Sequence, residues 1–333
     1  MRNKLRNIFF AFGIVAVIIM IFTFDVSPQQ VASDLKRAGY YFPLIILLWF
    51  FVYFLNTCSW HVILSSDKKS PIPFCKLYKF SITGFALNYV TPGGLMGGEP
   101  YRIMEITPYV GVEKASSSVI LFVMMHIFSH FLFWISSVIL FILFYPVSKM
   151  VGIILAIMFC FCLLFVFIFW KGYRNGFIVS LTRLGNRIPY LKKYVVHFSE
   201  KYSENLKRID SQIALLHRQE KRSFYGSLFL EYTARIVSCV EVWLVLSILT
   251  QQVNFMDCIL IVAFSSFIAN LLFFLPMQIG GREGGFALAV HGLSLSGAYG
   301  VYTALITRVR ELIWIIIGLL LMKIGNKNKI NDD

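Results

Sequence analysis

The chain has 333 residues, 58% of them hydrophobic and 14% charged, and a formal net charge of +14 at pH 7. A soluble globular domain carries about 25% charged residues, so the composition excludes that class. It does not suggest nucleic acid as a partner, because membrane proteins already gather Lys and Arg in their cytoplasmic loops.

Apolar runs near the ~20 residues needed to cross a bilayer recur along the chain. They fall at 8–24, 42–64, 117–145, 150–170, 225–250 and 298–322. The first follows Arg2, Lys4 and Arg6 and precedes Asp25-Val26-Ser27-Pro28. That sequence lacks the small-x-small pattern of a cleavage site, so the run reads as a retained span. Loop 65–79 holds Lys68, Lys69, Lys76 and Lys79, and the tail holds Lys323, Lys327 and Lys329. The stretch 171–222 holds twelve Lys and Arg against four Asp and Glu. The positive-inside bias places these three regions and the N-terminus in the cytoplasm. Loops 25–40, 145–149 and 251–257 carry few charges and face outward.

Two segments between the spans share one pattern. The first reads Asn88-Tyr89-Val90-Thr91-Pro92-Gly93-Gly94-Leu95-Met96-Gly97-Gly98-Glu99. The second runs from Asn270 through Pro276-Met277-Gln278-Ile279-Gly280-Gly281-Arg282-Glu283. In each, an apolar run containing an Asn ends at a Pro, a Gly-Gly pair follows, and a Glu stands seven residues after the Pro. Pro lacks a backbone donor and Gly lacks backbone restraint, so both break helices. The freed backbone groups are tolerated at membrane depth only inside protein or along a wet cavity.

Parity then fixes how these segments dip. The chain is inside at Lys68 and still inside when the third span begins, so 80–116 enters and returns from the cytoplasmic face. It is outside at Gln251 and ends inside at Lys323, so 258–297 enters and returns from the outer face. The expected fold is all-α: a polytopic integral membrane protein, 1–333 as a single membrane domain. It has six spans and two opposed re-entrant helical hairpins, an inverted repeat in outline. Paired breaks of this kind point to a binding site at a repeat interface.

Within 171–222, Val195, Phe198, Tyr202, Leu206, Ile209, Ile213 and Leu216 fall at three- and four-residue steps. That stripe marks a basic amphipathic helix in a cytoplasmic insertion. Such a helix lies on an anionic leaflet or packs under the bundle.

Ionisable residues inside spans pair with one another or line a pathway. Glu99, Arg102 and Glu105 follow the first break at three-residue steps and share a helical face. Arg282 and Glu283 stand at the second break. Glu231 and Arg235 are an i, i+4 set that reads as a mutual ion pair, with Glu241 deeper in the same run. Arg308, Arg310 and Glu311 lie in the last span. Free helix N-termini beside Arg suit a phosphate. His126 and His130, i and i+4, read as packed polar residues rather than metal ligands. The six cysteines form no CxxC pair and read as free thiols. No metal or cofactor is expected.

The stretch Thr91 to Arg102 resembles the motif of the lysylphosphatidylglycerol synthase transmembrane-region family, whose members are described as flippase-like. Pro276 to Gly285, with Gly281-Arg282-Glu283-Gly284, resembles that family's second motif. The family includes the membrane half of the bacterial multiple peptide resistance factor, which is associated with moving aminoacylated phosphatidylglycerol between leaflets. The resemblance implies functional roles for Pro92, Gly97, Gly98, Glu99 and Arg102, and for Gly281, Arg282 and Glu283. Asn88 and Arg308 join them as substrate-binding candidates on their position. The chain ends at Asp333 without the soluble aminoacyltransferase domain of the full synthase, so that synthase activity is not expected. The expectation is translocation of an anionic phospholipid or a lipid-linked phosphate, in the bacterial cytoplasmic (inner) membrane. The alternatives are a membrane-embedded lipid-modifying transferase using Glu99 or Glu283 as general base, and a non-catalytic partner of a lipid-synthesis enzyme.

Overall fold

The computed structural model describes residues 5–11, 13–15, 28–66, 70–91, 97–175, 221–250, 253–272, 281–293 and 295–324, and every element within them is helical. Several expectations lie outside the described residues: most of the first span, Lys68 and Lys69, Pro92 with the glycines after it, the amphipathic stripe of 195–216, Pro276, and Lys327 and Lys329.

Helix α1 (Pro28–Ala38) ends with Lys36 and Arg37 in its last turn, where cations meet the negative end of the helix dipole. Gly39 follows with φ +53 and donates its N–H to the Leu35 carbonyl at 3.1 Å. This is a left-handed helix stop that glycine makes without a Cβ penalty. Helix α2 (Tyr41–Leu64) is apolar on all sides, as are much of α4 (Gly98–Phe144) and the Lys149–Phe169 part of α5 (Lys149–Asn175). These three are long and apolar enough to cross a membrane. Along α5, Ile153, Ile154, Ile157, Leu164, Phe167 and Ile168 are exposed, a surface that suits hydrocarbon rather than water. Helices α6 (Lys221–Ser247) and α9 (Gly297–Lys323) are 27 residues each, about 40 Å at 1.5 Å per residue, and both carry buried charges. Against the six spans expected from the sequence, three helices among the described residues are long and apolar enough to cross a membrane.

The segments at the two expected breaks are flanked by helices. Helix α3 (Phe74–Val90) precedes the first and α4 follows it. Helix α7 (Phe255–Leu271) precedes the second, and α8 (Gly281–Gly292) follows it and packs back against α7. Asn254 caps α7 reciprocally: its side chain accepts from the Asp257 N–H and the Asp257 carboxylate accepts from the Asn254 N–H, both at 3.0 Å. Inside α4, Gly111 sits at φ 79, ψ 163 and interrupts the helical path. A Cβ at Gly111 would meet nothing within 4 Å, so the requirement there is conformational, not spatial.

The contacts divide the chain into two compact units. The first comprises Met1–Phe54, Phe74–Met104 and Ile236–Asp333. Its axis is α9, which packs along α3 and α8. In lipid there is little hydrophobic drive between helices, so close packing of small residues carries the association. Accordingly, Gly300 of α9 sits on the backbone of Phe286 and Ala287, Gly318 sits on Ala86 and Ile82, and Thr83 donates to the Gly318 carbonyl at 3.0 Å. Val242, Leu246, Cys258, Ile261, Phe286 and Ala304 form an apolar core around α6 to α9.

The second unit comprises Leu55–Pro73 and Glu105–Arg235. It is rich in stacked rings: Trp60 on Phe122, Phe128 on Phe169 and Phe131 on Phe165. Here Glu231 and Arg235 have partners that their spacing did not name. Glu231 accepts from Asn56 at 3.1 Å and lies 2.8 Å from His126 Nδ1. Arg235 donates to Ser129 Oγ at 2.8 Å and to the His126 carbonyl at 2.9 Å.

Candidate functional site: two motif clusters and an arginine–glutamate network

Buried charges require partners, and α9 supplies three in four residues, Arg308, Arg310 and Glu311. Arg310 is fully buried and donates through Nε and Nη2 to both oxygens of Glu241 on α6, each at 2.9 Å. This fork geometry is the strong form of a charge-assisted bond. The Trp49 indole donates to Glu241 at 2.9 Å, and the Arg310 guanidinium lies 3.7 Å from the Trp49 ring centroid. That stacking adds a cation–π contact. Glu311 pairs with Arg282 and stands 3.9 Å from Arg308 and 3.7 Å from Arg310. Arg308 donates to Glu283 at 3.0 Å. Among the described residues, Arg282, Arg308, Arg310, Glu241, Glu283 and Glu311 thus form one connected network, with Glu311 at its hub.

The network has a closed end and an open end. Arg310, Glu241 and Glu311 are buried, whereas the side chains of Arg282 and Glu283 are 19% and 34% exposed. Both exposed members come from the first turn of α8, where backbone N–H groups lack intrahelical partners. The side chain of Leu272 lies against Gly281, so a Cβ there would displace it. Tyr89, at the end of α3, is within electrostatic range of Arg282, Arg310 and Glu311.

Next to Tyr89 in sequence, Asn88 builds the second cluster. Its amide nitrogen donates to Glu99 Oε1 at 2.8 Å, and its amide oxygen accepts the Gly98 N–H at 2.8 Å. One side chain therefore caps the start of α4 and fixes the first acidic residue of that helix. Gly98 lies directly on the Gly84 carbonyl, an approach that any Cβ forbids. Gly97 lies against Thr91 and the Leu87 carbonyl. Arg102 pairs with Glu99 at 3.3 Å and donates to the Ser81 carbonyl at 3.3 Å. Its guanidinium lies over Phe85 at 4.6 Å and against Gly84, and the residue is almost fully buried. Glu99 Oε2 is buried and accepts no hydrogen bond.

The structure thus gathers Asn88, Gly97, Gly98, Glu99 and Arg102 at the α3–α4 junction. It gathers Gly281, Arg282, Glu283 and Arg308 at the α8–α9 junction. Pro92 lies outside the described residues. Sequence reasoning noted Glu241, Arg310 and Glu311 as intramembrane charges without assigning them to the site. It missed Trp49 and Gly84. The only signal for Trp49 was an indole in an apolar run, which is ordinary. For Gly84 it was a small residue one turn before the Asn of the motif.

A family model described as the lysylphosphatidylglycerol synthase TM region matches residues 8–318. A UPF0104 membrane protein of Methanothermobacter thermautotrophicus is 23% identical, over 95% of this chain and 93% of its own length. No solved structure matches the chain.

Proposed function

The chain belongs to the lysylphosphatidylglycerol synthase transmembrane-region family of membrane proteins, and on that premise we propose that it moves an anionic phospholipid or a lipid-linked phosphate between leaflets. In this reading the protein crosses the membrane six times, with both termini cytoplasmic. The segments 80–116 and 258–297 dip from opposite faces toward one polar cleft. Their opposite parity, and the position of Asn88 and Tyr89 at the end of α3, support the shared cleft.

The observation that carries the proposal is the open end of the arginine–glutamate network. Arg282 and Arg308 are each held by a carboxylate, Glu311 and Glu283 respectively. A phosphate headgroup offers the same bidentate acceptor chemistry as a carboxylate. It substitutes for Glu283 on Arg308 and draws Arg282 toward the same oxygens, beside the N-terminus of α8. Each arginine keeps an anionic partner throughout, so the headgroup meets paired charge rather than bare hydrocarbon. The acyl chains stay in the bilayer. Arg102, buried on Phe85 and Gly84, holds the first motif in shape rather than taking the headgroup. In this reading the anionic leaflet also engages the basic 171–222 stretch.

The test is a leaflet-exchange assay in vesicles carrying labelled phosphatidylglycerol or labelled polyprenyl phosphate. The expected result is faster exchange with protein than in empty vesicles, lost in Arg282→Ala and in Arg308→Ala. No acceleration of either lipid, together with a covalently altered lipid product, establishes the transferase reading instead.

A further inference from the structure

We propose that Glu231 and His126 form a proton-binding site in the second unit, built from residues that the arginine–glutamate network does not use. The Glu231 side chain is 0% exposed. Its Oε2 is satisfied by Asn56 and His126, but its Oε1 is buried without a hydrogen-bond partner. An ionised carboxylate presents about four lone-pair positions, and those of Oε1 are buried and unfilled. The His126 side chain is 32% exposed. Imidazole is the side chain that exchanges protons near neutral pH, and carboxylate–imidazole chains inside membranes mark proton relays.

The surroundings bear on where the proton rests. Asn56 faces the carboxylate from α2 and has no titratable group of its own. From α4 come His126, Ser129 and His130, the last with its ring 5.4 Å from that of His126 and its Nδ1 buried without a partner. From α6 comes Arg235, bonded to Ser129 and to the His126 carbonyl. From α5 the groups packed on α4 are rings, Phe165 and Phe169. In the step, a proton from water binds His126 Nε2, and the Nδ1 proton crosses the 2.8 Å bond to Glu231 Oε2. One proton is taken up, the imidazole returns to neutral, and the carboxylate becomes a carboxylic acid. The reverse sequence releases the proton.

This site is tested on the full-length protein in lipid nanodiscs by infrared spectroscopy across a pH series, with no lipid transport measured. The result is therefore independent of the translocation proposal. The expected result is a protonated-carboxyl band that grows as pH falls and is missing in Glu231→Gln. His126→Gln keeps the band but moves its midpoint by about one pH unit or more, because the neighbouring imidazole no longer bears on the carboxyl. If the wild-type and Glu231→Gln spectra superimpose, the proposal is overturned. If Glu231→Gln does not fold, His126→Gln decides alone, and an unmoved midpoint overturns it.

Discussion

The two motif junctions begin from similar sequence and end in different structures. At the first, Glu99 and Arg102 are three residues apart on one helix and pair with each other. Asn88, Phe85 and Gly84 then enclose them from α3. At the second, Arg282 and Glu283 are adjacent, so their side chains diverge around the helix and reach different partners, Glu311 and Arg308, both on α9. An ion pair within one helix, packed under a ring and a glycine, has one arrangement. Two pairs bridging to a shared partner helix have several, because Glu311 already stands near three arginines. The lesson is that the motif residues build a lock at one junction and an exchangeable set at the other.

The largest expected effect comes from the shared hub. Removing one partner of a buried charge cluster costs about 3–5 kcal/mol, because the remaining charges are left uncompensated. Glu311→Ala is expected to lower thermal stability in detergent by that order, and a melting temperature equal to wild type would break the network picture. Next is Gly84→Val. Its side chain meets the Arg102 guanidinium, and overpacking costs about 1–3 kcal/mol. The same substitution at Gly284, where a Cβ meets nothing within 4 Å, is expected to leave packing undisturbed. Equal melting losses at the two glycines would erase the distinction between lock and exchangeable set. Asn88→Ala removes the cap on α4, a loss of about 0.5–2 kcal/mol, and Asn88→Asp is expected to restore less than half because it cannot donate to Glu99. The smallest effect on stability is at Glu283→Gln. That side chain is a third exposed, so the loss stays below about 1 kcal/mol, while lipid exchange changes rate. A variant that loses stability and transport together at this position would make the second junction a lock as well.

The sequence alone made the three long apolar helices readable, because apolar length is a local signal, while Pro92, Pro276 and the expected breaks beside them lie outside the described residues. It also made the Glu99–Arg102 contact readable, since i, i+3 residues share a face. The partners of Arg310 and Arg308 were not readable. Glu241 is 69 residues from Arg310 and Glu283 is 25 from Arg308, and no periodicity links positions on different helices. The i, i+4 spacing of Glu231 and Arg235 suggested a mutual pair, yet Asn56 and His126 come from other helices with better-placed groups. Spacing states which residues share a face of one helix, and only packing decides what that face meets.

The balance of three arginines and three glutamates has an electrical meaning. In the translocation proposed above, an exchange of partners among these groups leaves their summed formal charge unchanged. An anionic cargo seated among them makes the moving assembly net negative. Its passage is then work done with or against the membrane potential, about 2.3 kcal/mol per elementary charge for each 100 mV. On that proposal, transport of an anionic lipid is expected to depend on membrane potential more steeply than transport of a zwitterionic one by the same route.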